Sequence, residues 1–278
     1  MGELRIDARK TLTMLKEEWQ HCTDCALGAR RTRVGGRFVF GEGVPRAIMF
    51  IADGPDEIEE FRGEPFAGEA GRLLHGIMNR YNCPEYYTTY LVACRSCEIR
   101  LHKETRLPIT KNGEAQFQDI APLPVQSAAC RNRLLEEIYL VDPIIIVTLG
   151  APASEAVLGK PVTITKERGR AQHISIPGAL HRPVLTDTKK AWRRKLHGNI
   201  SWPTEPNELR YLVIPTLNPS FVLRKSADQT KRSPFQHLQA DLRSVVGIYE
   251  RYLVEVYNKE PRFNLDADFK DMEINEDD

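Results

Sequence analysis

The chain has 278 residues, of which 41% are hydrophobic and 28% are charged, and its formal net charge is +1. This balance is typical of a globular protein with a sizeable core, and no apolar run reaches the roughly 18–20 residues that cross a bilayer. The N-terminus lacks the basic-then-apolar pattern of a secretory signal. We therefore expect a cytoplasmic protein, with no membrane partner, in which the six cysteines do not form a disulfide framework.

Strands and helices alternate along the chain. Apolar residues at helical spacing predict an opening helix over residues 5–20. Short apolar or β-branched runs predict strands at 47–53, 86–94, 143–150 and 211–217. Apolar stripes predict helices at 68–82, 127–140, 151–158 and 234–257. Strands that alternate with helices imply a parallel sheet covered on both faces. The predicted fold is α/β, a three-layer sandwich with a central, mostly parallel four-stranded sheet flanked by helices.

Two segments do not fit this alternation. Residues 95–124 are polar, contain Pro and Gly, and predict a long loop. Residues 259–278 have eight acidic and three basic residues, a composition that predicts a disordered tail. The remaining residues, 1–258, are predicted to form a single domain.

Five of the six cysteines lie near the ends of predicted elements. Cys22 and Cys25 form a CxxC pair after the first helix. Cys94 ends a predicted strand, Cys97 follows it three residues later, and Cys130 lies at the start of a predicted helix. Thiolates with this spacing can bind a metal centre from one turn, and more distant cysteines complete the ligand shell. The spacing alone fits a zinc site with two CxxC pairs as well as an iron–sulfur cluster, and inert core thiols are the further alternative.

A ligand site is predicted where the strands end. In open α/β sheets ligands bind beyond the carboxyl ends of the strands, and residues 52–57, 90–95 and 216–224 follow three such ends. A basic stretch lies elsewhere: residues 166–200 contain nine Lys or Arg against two acids, with Arg193 and Arg194 beside Trp192. Basic and aromatic side chains together can contact phosphate and stack on a base; the alternative is a solvated hairpin.

Six motifs in a fixed order point to a family. They are CTDCALGARRT at 22–32, FGEG at 40–43, GEPFAGEAGRLL at 63–74, LVACR at 91–95, DPIIIVTLG at 142–150 and Asn-Pro-Ser at 218–220. This order resembles the iron–sulfur, thermophile-type (family 4-like) branch of the uracil-DNA glycosylase superfamily. The resemblance covers about residues 20–245, with enlarged loops at about 95–129 and 178–208. It implies a single uracil-DNA-glycosylase-like α/β domain.

The resemblance also implies a cofactor and a substrate. By position, the ligands of a [4Fe–4S] cluster are Cys22, Cys25, Cys94 and Cys130. Cys97 is not part of the family pattern and is the competitor of Cys94. The implied partner is DNA, whose duplex is wedged open and whose phosphates are held by a loop at the last motif. The residues predicted to contact DNA are Ser220, Phe221, Leu223, Arg224, Arg193 and Arg194.

The implied active site departs from the family at four positions, one of which is Asp56, where the family has a second Gly. Asp53 stands in the position of the catalytic carboxylate, one methylene shorter than the family's Glu, and Phe66 stands where an aromatic ring stacks on the extruded base. Tyr90 replaces the Asn that reads the uracil edge. Asn218 replaces the His that donates to the leaving base. Efficient removal of uracil is therefore doubtful on sequence grounds.

Three functions are consistent with these residues. The first is a DNA glycosylase that hydrolyses the N-glycosidic bond of a flipped base, with altered or weak specificity. The second is a catalytically degenerate DNA-binding module that assists replication or repair proteins. The third is a protein that acts independently of nucleic acid, such as an electron carrier or a zinc-stabilised scaffold. Tyr90 and Asn218 separate the first two functions.

Overall fold

A computed structural model describes residues 10–177, 184–186, 199–201, 208–225 and 233–257, together with residues 260, 263 and 265. Within these residues the strands are β1 (Glu42–Gly43), β2 (Ile48–Ala52), β3 (Tyr86–Tyr90), β4 (Cys97–Ile99), β5 (Thr110–Lys111), β6 (Glu114–Ala115), β7 (Phe117–Asp119), β8 (Ile145–Leu149), β9 (Gln172–Pro177), β10 (Val184–Thr186), β11 (Asn199–Ser201) and β12 (Glu208–Thr216). The helices are α1 (Leu12–Trp19), α2 (Ala26–Val34), α3 (Glu57–Arg62), α4 (Glu69–Arg80), α5 (Pro124–Val141), α6 (Ala151–Leu158), α7 (Ile164–Glu167), α8 (Pro219–Arg224) and α9 (Pro234–Tyr257).

The main sheet has the strand order β1-β3-β2-β8-β12-β9. The four inner strands are parallel to one another, whereas β1 and β9 pair antiparallel at the two edges. The α/β class is therefore confirmed, but the sheet has six strands rather than the predicted four. The edge strands were missed because apolar runs identify strands buried on both faces, whereas β9 is the mixed sequence QHISIP and β1 has only two residues.

Side chains of the inner strands alternate between two cores. Ile48 and Phe50 of β2 face a first core that contains α4 and α9, whereas Met49 and Ile51 face a second core that contains α1 and α5. This alternation follows from the two-residue period of a strand. Helices therefore cover both faces of the sheet, and residue 90, at the end of β3, belongs to the first core while Cys94 belongs to the second.

The polar segment after β3 is not a loop. Strand β4 pairs with β7, and β5 pairs with β6, to give two short antiparallel ribbons. Asn112 and Gly113 join β5 to β6 with φ of 54° and 83°, values that suit the Asn-Gly hairpin turn, and this dipeptide was the signal for the ribbon. Helix α5 begins at Pro124, so the enlarged loop predicted at 95–129 ends earlier than expected.

The two other predicted segments are described only in part. Within 178–208, strands β10 and β11 pair antiparallel, and of the acidic tail only residues 260, 263 and 265 are among the described residues. No helix in the described part of the chain is long and apolar enough to cross a membrane.

Candidate functional site

Three strand ends meet at Asp53, the residue directly after β2. Its Oδ1 accepts a hydrogen bond from the backbone N–H of Ala153 at 3.0 Å, in the first turn of α6. Its Oδ2 accepts one from Nδ2 of Asn218 at 3.3 Å, in the turn after β12. Gly150, with φ of 103°, connects β8 to α6 here, and a Cβ at that position would lie 3.2 Å from Oδ2 of Asp53. The strand order β2-β8-β12 thus brings an acid and an amide together, as the sequence predicts.

Burial raises the pKa of the Asp53 carboxyl to about 6, although the hydrogen bonds from Ala153 and Asn218 and the positive charge of Arg224 oppose this rise. A carboxyl with this pKa exists in both protonation states near neutral pH. Such a group can act as a general base or stabilise a developing cation.

Asn218 is fixed from two sides. It is the N-cap of α8, where its Oδ1 accepts a hydrogen bond from the backbone N–H of Ser220 at 2.9 Å. One N–H of its Nδ2 points to Asp53. An amide nitrogen carries two donors, so the other N–H remains for a ligand. The cap also explains why the Asn-Pro-Ser motif starts a helix and not the loop expected from the sequence.

Tyr90 covers the ring of Phe66. The two rings are stacked with their centroids 5.1 Å apart and their planes 7° from parallel. The backbone N–H of Phe66 donates a hydrogen bond to the Tyr90 hydroxyl at 2.9 Å, and both side chains are buried. Tyr90 therefore occupies a face of Phe66, the ring on which the resemblance would place an extruded base.

The cavity at this place is small. Its volume is about 40 Å³, and it adjoins an open groove of about 690 Å³ through Gly54, Asp56 and Ser220. A separate pocket of about 210 Å³ lies on the other side of Asn218 and is lined by Asp53, Phe221 and Arg224 among others. Phe66, Tyr90, Asn218 and Ser220 thus share the small cavity, whereas Asp53 faces the second pocket.

A second buried carboxyl was missed in the sequence. Glu59 lines the small cavity, and its Oε2 accepts a hydrogen bond from the backbone N–H of Asp56 at 2.8 Å. Burial and the charge of Asp56 raise the pKa of Glu59 to about 7, although hydrogen bonds with the backbone of Asp56 and with Tyr90 oppose the rise. Asp56 and Glu59 form a reciprocal capping box at the start of α3. The D-x-x-E pattern was the signal that could have identified this carboxyl.

Four of the cysteines converge in and beside the second core. Cys94 and Cys130 are buried, and Cys22 and Cys25 are half-buried at the start of α2. Each thiol of this group interacts electrostatically with at least one other: Cys94 with Cys25 and Cys130, and Cys22 with Cys130. In the part of the chain that the structure describes, no three His, Cys, Asp or Glu side chains have the spacing that binds a single metal ion.

Cys97 and Cys83 lie apart from this group. Burial raises the pKa of Cys97, and the charges that act on it come from Arg30, Arg95, Glu60 and Asp119, not from other thiols. Cys83 is in the first core, on the other side of the sheet. The structure therefore brings together the four cysteines that the sequence pattern selected.

A buried ion pair connects the cysteine group to the end of β3. Arg133, one turn after Cys130 on α5, is fully buried and pairs with Glu137. Its Nη2 donates to the carbonyl oxygens of Tyr90 and Leu91, and the latter distance is 2.9 Å. The position of Tyr90 thus depends in part on the helix that carries Cys130.

The predicted DNA contacts are described for α8 only. Phe221 and Arg224 are exposed on this helix, and Ser220 and Leu223 are half-buried beside the open groove. Arg193 and Arg194 lie outside the described residues.

The sequence matches the model of the uracil DNA glycosylase superfamily over residues 40–243. Among its relatives, the type-4 uracil-DNA glycosylase of Thermotoga maritima is 29% identical over 232 residues, which cover 82% of this chain and 91% of the relative. That of Sulfurisphaera tokodaii is 31% identical over 58% of this chain and 66% of the relative. That of Archaeoglobus fulgidus is 23% identical over 73% of this chain and the whole length of the relative.

Proposed function

The chain belongs to the uracil DNA glycosylase superfamily, and we propose that it is a DNA glycosylase that hydrolyses the N-glycosidic bond of a base flipped out of DNA. The observation that supports this most directly is the contact between Asp53 and Asn218 at the carboxyl edge of the sheet. A carboxyl and an amide donor are the two kinds of group that this reaction requires, and they come from different strand ends.

In the proposed reaction the bond from C1′ to the base nitrogen breaks, and the sugar develops oxocarbenium character. As a carboxylate, Asp53 stabilises this cation and orients the water that adds to C1′. The second N–H of Asn218 donates to the base as it leaves with the electron pair of the broken bond. The hydrogen bond from Ala153 keeps Asp53 in place while the charge develops.

The base specificity is proposed to differ from that of a uracil glycosylase. Tyr90 lies on Phe66, and the remaining cavity of about 40 Å³ does not admit a base unless the Tyr90 ring moves. Tyr90 also lacks the paired donor and acceptor of an amide. Slow release of uracil, or release of another base, follows from this arrangement.

We further propose a [4Fe–4S] cluster as the cofactor, bound by Cys22, Cys25, Cys94 and Cys130. The mutual interaction of these four thiols supports this proposal, and Cys97 does not share it. In such a cluster each thiolate binds a different iron atom, so the ligands stand farther apart than around one zinc ion. When bound, the cluster supplies a covalent link between α2, the turn after β3 and α5, and a centre that can accept an electron.

The proposed substrate is DNA, and the proposed contact surface is α8 with the basic stretch that contains Arg193 and Arg194. Phe221 is an exposed apolar side chain at the site, as wedge insertion between bases requires. Arg224 follows one turn later and can neutralise a phosphate.

A second function is favoured by one observation. Because Tyr90 fills the place of the base, the chain could bind DNA without turnover and assist replication or repair proteins. An excision screen distinguishes the two: the protein is incubated with oligonucleotides that carry one uracil, one hypoxanthine or one oxidised pyrimidine, and abasic sites are then cleaved with alkali. The glycosylase proposal requires cleavage of at least one substrate that the Asp53→Asn variant does not cleave. Binding of every substrate, with no cleavage above that of this variant, replaces it with the binding function.

A further inference from the structure

Arg31 on α2 is a buried arginine among the four cysteines. Its side chain is almost completely enclosed, with the residue 6% exposed. Nη2 donates a hydrogen bond to the carbonyl oxygen of Cys22 at 3.0 Å, and the guanidinium lies over the ring of Phe38 at 5.7 Å. The positive charge of Arg31 also acts on Cys94. Arg31 therefore donates to one of the four cysteines and acts electrostatically on a second.

Within the part of the chain that the structure describes, no carboxylate pairs with this cation. Among the described residues, Arg31 forms no ion pair, and its Nε is buried without a hydrogen-bond partner. Two nearby arginines are paired: the half-buried Arg30 with Glu60 at 2.8 Å, and the buried Arg133 with Glu137. A buried charge without a counter-charge is unfavourable. The buried guanidinium beside the cysteines, with a hydrogen-bond donor left over, therefore fits an anionic group bound between them.

We propose that Arg31 is the charge partner of the iron–sulfur cluster and that it holds the reduction potential of the cluster above the value that four thiolates alone would give. The inference rests on the cofactor proposed above. An iron–sulfur cluster with four thiolates is anionic, and reduction by one electron adds a further negative charge. A fixed positive charge beside the ligands stabilises the reduced state more than the oxidised state, which raises the potential.

An arginine suits this role better than a lysine. The planar guanidinium donates in several fixed directions, so one N–H can bind the Cys22 carbonyl while others remain for the bound group. A lysine keeps the charge but has a single ammonium at the end of a flexible chain. Arg33 provides the matched control, because it lies on the same helix and is exposed to solvent.

The test is the midpoint potential of the cluster in the full-length protein, purified without oxygen and titrated with dithionite as the electron donor. The iron content per chain is measured in parallel. Arg31→Gln is expected to move the potential to a more negative value, Arg31→Lys to move it less in the same direction, and Arg33→Gln to leave it at the wild-type value. A loss of iron from Arg31→Gln together with normal iron content in Arg31→Lys also supports the proposal, because the positive charge is then what the cluster requires.

Three results would overturn it. The first is a wild-type potential in Arg31→Gln. The second is an equal shift in Arg33→Gln, which would make the effect one of net charge on the helix. The third is a loss of iron from both Arg31 variants, which would make the side-chain shape, not its charge, the requirement. A wild-type protein without iron would instead overturn the proposed cofactor, and this is visible before any variant is compared.

Discussion

The cysteine group and the base cavity lie on either side of one short turn, yet their polar groups are arranged in opposite ways. Tyr90 ends β3 and belongs to the cavity, and Cys94 follows four residues later. At the cavity most polar groups have protein partners: the Tyr90 hydroxyl accepts a hydrogen bond from the backbone of Phe66, and Asn218 donates to Asp53 beside the cavity and retains one N–H. Among the cysteines, Arg31 is buried without an ion-pair partner in the described residues.

This difference follows the differences in sequence. The cysteine spacing agrees with the family pattern, and there the protein leaves a cation for a bound group to balance. Tyr90 departs from the pattern that the resemblance implies, and there its ring lies on Phe66 and leaves a cavity of about 40 Å³. The unpaired charge of Arg31 thus points to a bound group, whereas the stacked Tyr90 points to a changed ligand.

The largest effect is expected from removing one cysteine of the group. Cys94→Ser should lose most of the iron and about 2–3 kcal/mol of the free energy of unfolding. Since each kcal/mol shifts the unfolding temperature by about 2–4 °C, this temperature should fall by roughly 5–10 °C. Cys97→Ser is the matched control and should keep the iron, since Cys97 interacts with arginines and acids and not with the other thiols. Iron analysis and thermal unfolding measure both. Iron loss in Cys97→Ser but not in Cys94→Ser would show that the ligand assignment is wrong.

The next effect concerns the cavity. Tyr90→Asn combined with Asn218→His should open the cavity and restore the family's donor, which is worth on the order of 10²–10³ in rate. Uracil excision from an oligonucleotide measures it, with Asn218→His alone as the control that should gain less, because Tyr90 still covers Phe66.

The same double variant has a cost in stability. Asn218 caps α8, and losing an N-cap costs about 0.5–2 kcal/mol. A folded double variant that retains iron and binds uracil-containing DNA but releases no uracil would contradict the view that Tyr90 and Asn218 limit the reaction. The binding function would then be preferred.

The sequence predicted the buried inner strands of the main sheet better than the short ribbons that follow β3. Strands buried on both faces, such as Ile145–Leu149, are continuous apolar runs, and α6 was predicted at its observed bounds. The ribbons after β3 were not predicted, because their strands have two or three residues and are held by pairing and not by burial. The convergence of Asp53 with Asn218 followed from the parallel topology.

The contents of the cavity could not be predicted in the same way. The sequence shows that Tyr90 replaces an amide, but the direction of its ring depends on three-dimensional contacts: the stacking on Phe66 and the hydrogen bond with Glu59. The lack of a counter-charge for Arg31 was equally invisible, since it depends on which acids lie nearby in space. The residue types therefore predicted the positions of both sites, whereas the side-chain contacts inside each site depend on packing that the sequence does not show.

The pH dependence of excision should identify the catalytic carboxyl. The pKa of Asp53 is raised to about 6, so the carboxylate predominates above that pH and the acid below it. If the carboxylate is the active form, single-turnover excision of the best substrate falls about tenfold per pH unit below roughly pH 6. Asp53→Asn should be slow at every pH. A limb near pH 7 that disappears in Glu59→Gln would assign the reaction to Glu59, whose pKa is about 7.

The smallest expected effect is that of removing the charge of Arg224, an exposed side chain beside the open groove and the second pocket. Each phosphate neutralised by the protein adds roughly 0.7–0.9 to the slope of log affinity against log salt. Arg224→Gln should therefore reduce this slope by about that amount, and reversal of Arg193 and Arg194 to Glu should reduce it further. Arg46→Gln is the control, since Arg46 is exposed near the amino end of β2, at the opposite edge of the sheet.

Arg224→Gln has a second consequence that ties DNA binding to the chemistry. The charge of Arg224 lowers the pKa of Asp53, so its removal should move the acid limb of the excision profile to higher pH. The shift should be larger at low ionic strength, because salt screens a charge that reaches an exposed side chain. Arg46→Gln should leave the limb in place. A reduced salt slope with an unmoved limb would show that Arg224 contacts DNA but does not act on Asp53. In that case the charge of Arg224 would have no effect on the protonation of Asp53, which also accepts the hydrogen bond from Asn218.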